Sequence, residues 1–123
     1  MSPPASGTPP PRLTLSKIVS GDATVVTCSG FLTAPYAPEL KAYVREILPD
    51  IKRIVLDLSQ VVFMDSSGLG ILVAARKQLR NDPDAVVVIT DQPAVLQSLH
   101  ITGLDRVLRV LREPQTLSNP LKS

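Results

Sequence analysis

The segment V-V-F-M-D-S-S-G-L-G-I-L-V-A-A-R-K-Q-L-R, Val61 to Arg80, passes from a strand-like run through three short polar residues and two glycines into a helix. Val61 to Met64 prolongs an apolar stretch, and a helical pattern starts near Ser67 and runs to Leu79, where Asn81-Asp82-Pro83 stops it. Asp65 and Ser66 therefore stand at the carboxyl end of a strand, where open α/β sheets gather functional groups. Asp65, Ser66 or Ser67 can each cap the helix by accepting a hydrogen bond from an unpaired backbone N–H. One such residue suffices. Three in succession, followed by Gly68 and Gly70, exceed what a cap requires, because each helical glycine costs about 1 kcal/mol relative to alanine. The excess predicts a surface made for contact. A stripe of Leu69, Leu72, Ala75 and Leu79 is enough to face a sheet, which leaves Ile71 and Val73 on or near the exposed side unless neighbouring loops cover them.

Outward from this segment the pattern remains legible. Upstream, Leu13, Leu15 and Ile18 open a strand, Gly21-Asp22 makes a hairpin turn, and Ala23 to Cys28 forms a second, β-branched strand. Gly30 to Pro35 reads as a loop. Tyr36 to Leu48 has helical spacing, with Leu40, Tyr43, Val44 and Ile47 on one stripe, and Pro49 closes it. Ile51 to Leu58 is a strand leading into the segment. Downstream, Ala85 to Thr90 is an unbroken β-branched run, the mark of a strand buried on both faces. Pro93 starts a short helix through Leu99, and Val107 to Leu111 is a final edge strand. The expected order is β-β-α-β-α-β-α-β: an α/β fold, one domain with a mixed sheet of about four to five strands and helices as crossovers.

Composition bounds the class of function. The chain has 123 residues, 44% of them hydrophobic, enough for one core. With two Phe, two Tyr and no Trp, that core must be Val, Leu, Ile and Ala, and base stacking on nucleic acid is not expected. Thirteen Lys and Arg against eleven Asp and Glu leave a scattered net charge of +2, without a polyanion-binding patch. No run is long enough to span a bilayer and the start lacks a signal-peptide pattern, so a cytoplasmic protein without membrane contact is expected. Residues 1–11 hold five prolines and read as a flexible extension, residues 12–112 as the domain, and residues 113–123 as an irregular tail. Cys28, the single cysteine, reads as a small buried hydrophobe.

Catalysis finds little support. A serine hydrolase built on Ser66 needs a general base, and His100 is the only histidine. Ser66 also lacks the glycine two residues earlier that a nucleophile elbow requires. One His and one Cys in separate segments do not assemble a metal site, and the glycines at 68 and 70 have neither the spacing nor the lysine of a phosphate-binding loop. No enzyme, metal or cofactor is expected. A serine at a helix start is instead well placed for phosphorylation, because the helix N-terminus favours the phosphate charge while an apolar partner surface would not.

M-D-S-S-G-L-G after a strand resembles the signature of STAS-domain anti-sigma factor antagonists. I-V-L-D-L-S (Ile54 to Ser59), G-D-A-T-V-V (Gly21 to Val26) and I-T-G-L-D-R-V (Ile101 to Val107) are similar too, and the likeness spans about residues 12–112. The resemblance implies a regulator whose unphosphorylated form binds an anti-sigma factor, itself an ATP-dependent serine kinase, and so frees a sigma factor. It implies that the kinase modifies Ser66, that a metal-dependent Ser/Thr phosphatase resets it, that Asp65 orients Ser66, and that Ser67 and Gly68 complete the helix mouth. Phe63, Met64, Leu69 and Val73 are the further docking candidates. The family usually carries glycine, an acid, a variable residue and aspartate after the second strand, where this chain has Gly30, Phe31, Leu32 and Thr33. The usual final helix is not expected after Glu113. The alternative within the fold is a STAS interaction module that is not phosphorylated, such as a stress-complex scaffold or a lipid-transport subunit.

Overall fold

The computed structural model describes residues 13–80 and 82–112. The expected extension at residues 1–11 and tail at residues 113–123 lie outside the described residues. Strands β1 (Thr14–Ser20) and β2 (Ala23–Leu32) form an antiparallel hairpin, with Ser20 opposite Ala23 across the Gly21-Asp22 turn. Helix α1 (Ala37–Ile47) and a 3-10 turn (Leu48–Asp50) then lead to β3 (Arg53–Met64). Helix α2 (Ser66–Gln78), β4 (Val86–Ile89), α3 (Pro93–Ile101), a second 3-10 turn (Leu104–Arg106) and β5 (Arg109–Leu111) complete the order. It is the predicted β-β-α-β-α-β-α-β fold.

The sheet runs β1-β2-β3-β4-β5, antiparallel in the first pair and parallel in the others. Each helical crossover therefore steps one strand in the same direction. Right-handed crossovers of that kind bring their helices to one face of the sheet, and the core agrees. Leu40 and Val44 of α1, Leu72 and Ala75 of α2, and Val95 and Leu99 of α3 share one buried cluster with Ile54, Leu56 and Leu58 of β3. The alternate strand positions Val55, Val87 and Ile89 form a smaller buried cluster on the opposite face. Cys28 is fully buried, and desolvation, with the nearby Asp57 charge adding to it, pushes its thiol up to about 12.

The structure corrects two local expectations. Gly30 does not open a loop: β2 continues through it to Leu32 and stays paired with β3. Gly30 sits at φ +109°, which L side chains rarely adopt, and it coincides with a register shift. Gly30 pairs with Val61 but Phe31 pairs with Phe63, so β3 carries the extra residue Val62. That bulge turns Val61 and Met64 into the core and leaves Val62 and Phe63 each 48% exposed. The second correction concerns α2. Ile71 is only 4% exposed, on the side of α2 beside which α1 packs. Leu69, Val73 and Leu79 are half-buried against the core edge.

Candidate functional site

The segment that defines the helix mouth folds around Asp65. Its backbone is extended (φ −100°, ψ −169°), so its side chain turns back over the first turn of α2, where Oδ1 accepts the Ser67 N–H at 2.8 Å. Asp65 is thus the N-cap, and α2 starts at Ser66, one residue before the expected Ser67. Its second oxygen, Oδ2, accepts the Ala34 N–H at 2.9 Å, and its own N–H donates to the Leu32 carbonyl at 3.2 Å. One carboxylate therefore ties the β2–α1 connection to the start of α2. Partial desolvation acts to raise its pKa, but N–H groups of Ala34, Ser67 and Gly68, together with the Ser67 hydroxyl, outweigh it and hold the group below the ordinary carboxylate range.

Ser66 is exposed in the first turn of α2, beyond the cap, where the positive end of the helix dipole favours an anion. Ser67 is half-buried, and its backbone is engaged by Asp65. Gly68 is buried for steric reasons. A Cβ there would lie 2.5 Å from Met64 Cγ and 2.8 Å from Leu32 Cγ, so this turn of helix rests directly on the ends of β2 and β3. Gly70 is different: it is exposed, and a Cβ there would meet nothing within 4 Å.

The docking candidates divide by burial. Phe63 is exposed, Leu69 and Val73 are half-buried, and Met64 is 3% exposed because the bulge points it inward. Phe31, which the sequence reading placed in a loop, stands opposite Phe63 in the β2–β3 ladder and is partly exposed. The chain's two phenylalanines are thus neighbours at the rim that carries Ser66. The sequence marked this position only through Phe31, which stands where the family usually has its first acid.

His100 lies in the last turn of α3, with Nδ1 3.1 Å from Asp105 Oδ2, and it makes no hydrogen bond to Ser66 among the described residues. No described group of three His, Cys, Asp or Glu side chains is arranged to hold a metal ion. No described helix is long and apolar enough to cross a membrane.

Comparison with known proteins converges on one family. The STAS domain matches residues 14–117. The anti-sigma-B factor antagonist of Listeria monocytogenes is 33% identical over 84 residues, covering 67% of this chain and 73% of that protein. Among solved structures, an anti-sigma factor antagonist from Mycobacterium paratuberculosis superposes with a TM-score of 0.84 at 26% identity, covering 94% of this chain and 99% of that one. The Bacillus cell fate determinant SpoIIAA in its phosphorylated form gives 0.67 at 17% identity over 87% and 97% of the two chains, a likeness of fold.

Proposed function

The chain belongs to the STAS-domain family, and on that premise we propose that it is an anti-sigma factor antagonist gated by phosphorylation of Ser66. The unphosphorylated form binds an anti-sigma factor that is an ATP-dependent serine kinase, and a sigma factor is released. The kinase transfers phosphate to Ser66, the complex separates, and a metal-dependent Ser/Thr phosphatase restores the binding form. The chain itself supplies a surface and a hydroxyl, and no catalysis.

One observation carries this reading: Ser66 is the exposed hydroxyl in the first turn of a helix whose cap is already filled by Asp65. Because the cap does not need Ser66, its hydroxyl is available to a kinase. A phosphate there meets the favourable end of the helix dipole, so the domain keeps its fold while its surface changes. An added charge at an apolar rim that includes Phe63 is costly to desolvate against a partner. The relatives' names favour the same role: the Listeria protein is called an anti-sigma-B factor antagonist.

Ser66→Ala is expected to keep partner binding permanently on, and Ser66→Asp to weaken it by about 1–3 kcal/mol. Isothermal titration of each variant against the anti-sigma factor recovered with the native chain reads both. Equal binding by native, Ser66→Ala and Ser66→Asp chains overturns the switch. Mass spectrometry of the protein from its own cells adds the physiological half. Phosphate on Ser66 whose occupancy changes with stress supports the reading, and a Ser66 never modified even with partner and ATP points to a constitutive adaptor.

A further inference from the structure

Between α1 and α2 lies a groove of about 590 Å³ that opens at Ser66. Val44, Ile71 and Ala74 give it an apolar floor, and its charged lining residues, Lys41 and Arg45, are both cations. Neither cation enters an ion pair with any described residue. The nearest acid that the hydrogen bonds place at this end, Asp65, is engaged by the N–H groups of Ala34 and Ser67 and makes no ion pair with either cation.

Lys41 and Ser66 line the same groove. Helices α1 and α2 follow adjacent parallel strands, so both run in the same direction, and the Ala34–Asp65 hydrogen bond sets their starts side by side. Lys41 lies about one turn into α1, and side chains on a helix lean toward its N-terminus. That lean would carry the Lys41 ammonium toward the end of the groove that Ser66 lines. Gly70, one turn beyond Ser66, also lines the groove and leaves open space where a side chain would stand. Packing does not explain a glycine there, since nothing approaches it. Its effect is to keep the space between the two helices clear.

We propose that Lys41 receives the phosphate of Ser66 at the mouth of this groove, so that modification occupies the mouth and offsets the positive charge of a groove that is open beforehand. The inference rests on the reading that Ser66 is phosphorylated, and it adds where the new charge goes. A phosphoserine brings a charge of about −1.5 to −2, comparable to the combined charge of Lys41 and Arg45. The phosphorylated face then differs from the free one in shape and in field, while the strands beneath it are unchanged.

The test uses the full chain with phosphoserine installed at position 66 during translation, and phosphorus-31 NMR to follow the second ionisation of the phosphate. Lys41→Gln is expected to raise that pKa by about half a unit, because an adjacent cation favours the dianion. Lys77→Gln, which removes an exposed charge of α2 outside the groove, is expected to leave it unchanged. An unshifted titration in Lys41→Gln, or an equal shift in both variants, overturns the contact. Partner binding separates this result from the switch itself. If the native phosphoprotein binds the partner undiminished, the switch fails whatever the titration shows. If binding is lost and the titration is insensitive to Lys41, only the Lys41 contact fails.

Discussion

Asp65 does two jobs with two oxygens, capping α2 through Ser67 and holding the preceding connection through Ala34. Removing both with Asp65→Ala is expected to destabilise the domain by about 1–2 kcal/mol, read from chemical denaturation at neutral pH. Asp65→Asn keeps one carbonyl oxygen for the cap but turns an amide nitrogen toward the Ala34 N–H, so an intermediate loss is expected. The pH dependence has a definite sign. The folded-state pKa of Asp65 is depressed, so its contribution is present above the unfolded-state value and disappears as pH falls through the lower folded one. Native protein should therefore lose stability below about pH 4 more steeply than Asp65→Asn. Parallel acid limbs for the two proteins would show that the carboxylate's charge contributes nothing to folding. That one of three polar residues caps the helix was legible from their position before an apolar run. Which one it is depends on the extended backbone at Asp65 and on a hydrogen bond to a residue thirty-one positions away, which local pattern does not encode.

At the scale of elements, the two glycines of α2 separate fold from surface. Gly68→Ala forces a Cβ against Met64 Cγ and Leu32 Cγ, mid-chain atoms of buried side chains, so a loss of about 1–3 kcal/mol is expected. Gly70→Ala meets open space and removes a flexible residue from a helix, so a gain of up to about 1 kcal/mol is expected. Thermal melts of the two variants moving in the same direction would contradict this division. The sequence pattern assigned both glycines to a surface made for contact, whereas Gly68 is a packing glycine and Gly70 is the exposed one. The difference lies in the far ends of β2 and β3, whose bulge determines what rests under the first turn of α2. The same bulge explains why Gly30 misled: glycine is a loop signal locally, and here it supplies a positive φ inside a paired strand. Ile71 misled for a related reason, since a single-helix stripe takes no account of α1 packing alongside. By contrast, β4 and the order of elements were legible because continuous β-branched runs and periodic stripes are properties of the segments themselves.

For the whole molecule, the division between core and rim has an energetic consequence. The aliphatic cluster joins all three helices to the sheet, and Leu56 lies in it fully buried on β3, paired with both β2 and β4. Leu56→Ala is expected to cost about 2–5 kcal/mol and to lower the denaturant midpoint with an unchanged slope, as for a domain that unfolds in one step. Phe63, half exposed on the stretch of β3 that runs past β4, lies outside that cluster. Phe63→Ala should therefore cost stability no more than about 1 kcal/mol, far less than the about 3–5 kcal/mol of a core phenylalanine. If the rim is the docking surface, its effect appears instead in partner binding, at a hot-spot scale of about 2 kcal/mol or more. Denaturation and binding measured on the same pair of variants decide the matter. A Phe63→Ala chain that loses stability as Leu56→Ala does would place Phe63 in the core, and one that binds the partner as tightly as the native chain would remove it from the interface. With stability concentrated in Val, Leu, Ile and Ala and both phenylalanines near the end of the β2–β3 ladder, the residues that hold the fold are distinct from those that shape this surface.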